Sequence, residues 1–142
     1  MNTSQDHIGF LTADAARLMR RAYERLATDN GITLAQARLL IYIHRAEGAR
    51  QIDLAEQLEI QPITLARLLD QLVAQGLAER RPSPHDRRAF LIYLTEAAKP
   101  QLDAIAAASQ RIRQQAMQGI SEADVATTLR VLQRVRQNLC SR

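Results

Sequence analysis

The fold is decided by residues 51–95, which read QIDLAEQLEI QPITLARLLD QLVAQGLAER RPSPHDRRAF LIYLT. Gln51 to Leu58 places Ile52, Leu54, Ala55 and Leu58 at apolar positions of a short helix. Glu59-Ile60-Gln61 leaves room for no more than a tight turn. Pro62 suits the first position of a second helix, because the N–H it lacks would be unpaired there anyway. That helix runs to Gln75 and stops at Gly76, the residue type favoured just past a helix end. The period then changes. Leu77 to Arg81 and Ala89 to Leu94 read as strands, the second rich in β-branched and aromatic residues. Between them, Pro82-Ser83-Pro84-His85-Asp86-Arg87-Arg88 forms a polar, proline-marked loop. A short helix, a tight turn, a second helix and a basic hairpin make a winged helix-turn-helix.

On the N-terminal side, Leu11, Ala15, Leu18, Ala22 and Leu26 recur at helical spacing between Ile8 and Leu26. Asn30-Gly31 breaks that helix. Thr33 with Gln36 matches a capping box that opens the next, through about Arg45, with Leu39, Leu40, Ile41 and Ile43 largely buried. On the C-terminal side, Thr95 is expected to cap a long helix to about Gln118. Gly119 interrupts it, and Ser121 opens a last helix with Val125, Leu129, Leu132, Val135 and Leu139 on one face. The expected fold class is mainly α with a small β-hairpin wing, in one domain spanning 1–142. Residues 33–95 form the winged lobe, and 5–28 and 96–142 supply dimerisation helices. The terminal helices present more apolar surface than one small lobe covers, so a homodimer is expected through Ile8, Leu11, Val125, Leu129, Leu132, Val135 and Leu139.

Composition narrows the class. The chain has 142 residues, 46% apolar and 4% aromatic with no Trp, so its core must be built from Leu, Ile, Val and Ala. The net charge is +4 and the pI about 10.0, and every basic residue except Lys99 is Arg. A GC-rich genome accounts for most of that ratio, while the basicity itself suits a polyanionic partner. No apolar run reaches the ~18 residues of a membrane span, no leader-like segment opens the chain, and Cys140 has no intramolecular partner. A bacterial cytoplasm, at the nucleoid, is the expected location. There is no Gly-rich phosphate loop, nucleophile motif or clustered carboxylate pair, so neither an enzyme nor a cofactor is expected. His7, His44 and His85 lack the paired spacing of a zinc site, and no metal is expected. Cys140, third from the end and without an evident basic partner, reads as a frayed thiol rather than a redox switch.

The second helix of the motif suggests what it reads. Leu65, Leu68, Leu69 and Leu72 pack to one side, while Thr64, Arg67 and Gln71 share another. Laid in a major groove, that face offers Arg to guanine O6/N7, and Thr to phosphate or base edges. The free N–H groups of the helix N-terminus near Gln61 and Thr64 favour phosphate. At the hairpin, Arg87 is the expected minor-groove contact, with Asp86 orienting its guanidinium and Arg81 and Arg88 adding charge.

These residues resemble the MarR family of bacterial regulators, and within it the SlyA-like branch. The resemblance is carried by Leu54-Ala55, Arg67-Leu68-Leu69-Asp70-Gln71-Leu72, Gly76-Leu77, Arg80, the wing run Asp86-Arg87-Arg88, and Leu94-Thr95-Glu96 with Pro100. Gly119-Ile120-Ser121 and the N-terminal helix extend it over nearly the whole chain. It implies a dimer of intertwined terminal helices, Arg67 as the recognition-helix arginine and Arg87 as the wing arginine. It also implies a small aromatic or phenolic effector that relieves repression, with Arg17, Arg21, Tyr42 and His44 as candidate lining. One departure is visible: Gln61-Pro62 is shifted by one position, leaving Ile63 where the SlyA-like pattern has Pro. The competing class is a winged helix used to dock protein, which salt-sensitive binding to duplex DNA would distinguish.

Overall fold

The computed structural model describes residues 7–27 and 31–140. The expected helix boundaries at residues 5 and 28, the break at Asn30 and the terminal Arg142 lie outside the described residues. The elements run α1 (Ile8–Ala27), α2 (Leu34–Arg45), β1 (Ala49–Arg50), α3 (Gln51–Leu58), α4 (Pro62–Ala74), β2 (Ala78–Pro82), β3 (Phe90–Leu94), α5 (Ala98–Ala116) and α6 (Glu122–Cys140). The expected order is therefore found, with β1 in addition. That two-residue strand pairs antiparallel with β3 (Ala49 opposite Ile92), and β2 pairs with the other edge of β3 (Arg80 opposite Ile92), giving the order β1-β3-β2.

Local chemistry sets most boundaries. Thr33 and Gln36 form the expected capping box: the Gln36 N–H donates to Thr33 Oγ1 at 3.2 Å, and the Thr33 N–H to Gln36 Oε1 at 3.1 Å. Helix α4 ends in a Schellman motif, with the Leu77 N–H on the Leu72 carbonyl, the Gly76 N–H on that of Val73, and Gly76 at φ 73. Helix α5 departs from the expected start. Thr95 does not cap it; its hydroxyl donates to the Gly76 carbonyl at 2.6 Å, tying the end of β3 to the end of α4. Ala97 takes the N-cap position instead, without a side-chain bond.

One core joins the lobe. Leu39, Leu40 and Ile43 of α2 meet Leu54 of α3, Leu65, Leu69 and Leu72 of α4, and Ile92 of β3, all fully buried. Tyr23 of α1 and Ala98 and Ile105 of α5 close it, and burial raises the Tyr23 hydroxyl above its ordinary pKa. Ile52 departs from the expected inward position. It is 45% exposed, because α3 turns Leu54, Ala55 and Leu58 to the core and leaves Ile52 on its outer side. Leu68 is only half-buried. No residue of α6 is buried, and Leu129, Leu132, Val135 and Leu139 stand exposed along it. No helix among the described residues is long and apolar enough to cross a membrane.

The turn between α3 and α4 holds its shape through strain. Glu59 sits at φ 54, a left-handed conformation, while the Ile60 N–H reaches the Ala55 carbonyl at 3.1 Å. For a residue with a Cβ this conformation costs roughly 1–2 kcal/mol. Glu59→Gly is expected to stabilise the fold by about 1 kcal/mol, whereas Glu56→Gly, inside α3, should destabilise it by about 0.5–1 kcal/mol. Chemical denaturation of the two variants checks this, and equal signs would refute the account.

Candidate nucleic-acid interface

Helix α4 is oriented by its buried side. With Leu65, Leu69 and Leu72 held in the core, the outward stripe runs through Ile63, Arg67 and Asp70, at spacings i, i+4 and i+7. Ile63 is 80% exposed, and Arg67 is exposed with no side-chain partner among the described residues. Of the expected face of Thr64, Arg67 and Gln71, both Arg67 and Gln71 are exposed. Thr64 is half-buried, and the Gln71 side chain accepts from Gln36 Nε2 at 2.8 Å. Gln36 is itself 5% exposed, and its amide is satisfied on one end by the α2 cap and on the other by Gln71. Gln61 and Pro62 are exposed at the start of α4, where the first-turn N–H groups of a helix have no intrahelical partner.

The arginines of the wing divide into three kinds. Arg80 lies on the inner face of β2. Its Nη2 donates to Asp70 Oδ1 at 2.6 Å and to the Ala66 carbonyl at 3.5 Å, and its Nε to Gln51 Oε1 at 3.1 Å. One side chain thus binds β2 to both α3 and α4. Arg81 lies on the outer face, where its guanidinium sits 3.9 Å from the Tyr93 ring centroid and Nε donates to Glu79 Oε1 at 2.8 Å. It is engaged within the sheet. Arg87 and Arg88 stand exposed at the loop, with no side-chain partners among the described residues. Asp86 does not orient Arg87 as expected: its Oδ1 accepts the Arg88 backbone N–H at 2.9 Å and so fixes the turn that presents both arginines.

Between the start of α4 and the wing lies a cleft of about 360 Å³ lined by Arg50, Gln51, Ile52, Pro62, Asp86, Arg88, Ala89 and Phe90. Arg50 was absent from the expected site. It grips Asp53 through two bonds of 2.9 and 2.7 Å, which holds the Asp53 carboxyl below the usual carboxylate range. Its signal in the sequence, Arg three residues before Asp at a helix start, is too common to single out.

The four expected effector residues differ in their surroundings. Arg17 pairs with Asp14 at 3.2 Å, Arg21 and His44 are exposed, and Tyr42 packs half-buried against the core. A groove of about 990 Å³ instead lies between α1 and the end of α5, lined by Leu18, Met19, Ala22, Leu26, Ile112 and Met117 with Arg25 and Arg111. It includes none of the four. Of the expected dimer residues, Ile8, Leu11, Leu129, Leu132, Val135 and Leu139 are exposed in the single chain and Val125 is half-buried.

Arg80 makes a measurable claim. Asp70 is 68% exposed at its side chain, so the ion pair alone should contribute about 0.2–1 kcal/mol in a double-mutant cycle. Arg80→Ala should cost more than Asp70→Asn, because it also removes the bonds to Gln51 and Ala66. Faster amide exchange across β2 in Arg80→Ala is expected; unchanged exchange would deny it the joining role.

Residues 30–89 match the model of the MarR family. A relative from Bacillus subtilis (strain 168), the uncharacterized HTH-type transcriptional regulator YdgJ, is 27% identical over 109 residues, 77% of this chain. The match spans 66% of that relative's length, just under two-thirds. Among solved structures, a MarR variant from E. coli complexed with operator DNA has a TM-score of 0.83 at 27% identity, over 90% of this chain and 92% of its own. BpsR from Bordetella bronchiseptica, whose DNA binding is regulated by 6-hydroxynicotinic acid, has a TM-score of 0.84 at 19% identity, over 96% of this chain and 97% of its own; that likeness concerns the fold alone. The family match thus lies across the winged helix, and nine-tenths of the chain is similar in fold to a MarR structure complexed with operator DNA.

Proposed function

We propose that the chain is a sequence-specific DNA-binding regulator, a repressor in its ground state, that acts as a homodimer on a pseudo-palindromic operator. The observation that carries this is the joint exposure of Arg67 on α4 and of Arg87 and Arg88 on the wing, without protein partners among the described residues. Helix α4 enters the major groove and the wing the adjoining minor groove, with Gln61, Pro62 and the first N–H groups of α4 on phosphate. Thr64, Gln71 and Arg81 contribute by holding the presenting elements. The dimer reading is supported by α6, which carries an apolar stripe and no buried residue. A two-fold axis through such helices would set the two copies of α4 roughly 34–36 Å apart, one DNA turn. The run Gly119-Ile120-Ser121 and the wing sequence favour the SlyA-like branch.

The variants Arg67→Ala and Arg87→Ala separate the two contacts. Loss of a bidentate base contact, worth about 1–3 kcal/mol, should make Arg67→Ala both weaker and less selective. Arg87→Ala should weaken binding to cognate and A·T-rich duplexes alike, since groove potential rather than base identity dominates there. Each loss occurs twice per dimer, so about 1 kcal/mol per subunit lowers affinity about 30-fold. Titrations on cognate and scrambled duplexes at two salt concentrations, with light scattering to count chains per duplex, decide it. Wild-type affinity in both variants, or one chain per operator, would refute the reading.

The groove between α1 and α5 supports an effector site. Its apolar wall and the guanidinium groups of Arg25 and Arg111 suit a small aromatic carboxylate or phenolate. Such a ligand is expected to raise the melting temperature and weaken operator binding by about 5- to 150-fold. An aromatic-acid library that moves neither quantity would remove the effector from the proposal.

A further inference from the structure

Ile63 is more exposed, at 80%, than any other large hydrophobic side chain among the described residues. It occupies the second position of α4, directly after Pro62, where the first turn still has unpaired N–H groups and polar or acidic residues are the stabilising choice. It therefore serves neither the core nor the cap. Its position is one helical turn before Arg67, on the stripe that Leu65, Leu69 and Leu72 force outward.

We propose that Ile63 is a specificity-determining residue that packs on the C5-methyl group of a thymine in each operator half-site. The inference rests on the DNA reading above and adds a base to it. Along the major-groove edges of the four base pairs, the thymine methyl is the one apolar group. A branched aliphatic side chain at the leading end of the inserted helix finds no other apolar surface there. Its side chain is stiff at χ1, so it loses little rotamer freedom on contact. Arg67, a turn further along, would take a guanine on the same stripe, which sets thymine and guanine within reach of one helix face.

The test begins with duplexes selected by the wild-type protein from a random-sequence library. Each thymine of the selected site is replaced in turn by deoxyuridine, which removes only the methyl group, and affinity is measured for wild type and Ile63→Ala. The exposed position keeps the variant folded, which circular dichroism verifies. One thymine per half-site should respond: wild type weakens about fourfold for one replacement and about 15-fold for both, while Ile63→Ala does not respond. A second selection with Ile63→Ala should lose the thymine preference at that position alone. If both proteins bind the selected site and no deoxyuridine substitution distinguishes them, the assignment of Ile63 is overturned while DNA binding stands. If the wild-type protein selects no duplex, the DNA reading fails and the assignment with it.

Discussion

The rotation of α4 about its own axis governs this structure. Leu65, Leu69 and Leu72 are locked against α2 and α3 without measurable exposure, and interiors packed to crystal-like density do not let a helix turn by a residue. What α4 offers to a partner is what remains on its other side. Because the buried set fixes that side, Ile63 and Arg67 face outward, Thr64 is drawn partly in, and Gln71 comes within reach of Gln36. The two amides then hold α2 and α4 together through the same residue that closes the α2 capping box. A single glutamine thus connects the start of one helix to the flank of another.

The wing shows that charge in a sequence is not charge available at a surface. Arg80 and Arg81 are neighbours, yet strand alternation sends them to opposite faces. The first disappears into bonds with Gln51, Ala66 and Asp70; the second lies flat on Tyr93. Tyr93 in turn covers Gly48, where an added Cβ would meet its hydroxyl at 2.8 Å, so a glycine at φ 81 is needed beneath it. The arginines that stay available are those on the loop, where Asp86 spends its carboxylate on a backbone N–H rather than on a guanidinium.

Features set by neighbours in the chain were legible from residue types alone. The Thr33–Gln36 capping box, the start of α4 at Pro62 and its end at Gly76 each depend on chemistry within a few residues. What escaped depends on residues far apart. Strand β1 exists only because β3, some forty residues on, offers an edge to Ala49 and Arg50. Thr95 has the look of a cap but is claimed by the Gly76 carbonyl, and Gln71, on the outward side of α4, also accepts a bond from Gln36 that sequence spacing does not suggest. The outward position of Ile52 follows from which side of α3 meets the core, and Leu54, Ala55 and Leu58 could be weighed against it only once that side was known. The four effector candidates were grouped by family likeness, and the α1–α5 groove takes its walls from other residues.

In the proposed homodimer, helix α6 separates the means of pairing from the means of reading. Its apolar stripe shares no residue with α4 or the wing, so damage to Arg67 or Arg87 leaves the pairing surface intact. Under the homodimer reading, a crippled allele would still combine with the normal gene product. The mixed dimers would hold one working recognition helix and one idle one, and a two-fold operator needs both. With equal expression, three-quarters of randomly formed dimers would carry at least one idle copy, so such an allele would behave genetically as dominant over the wild type.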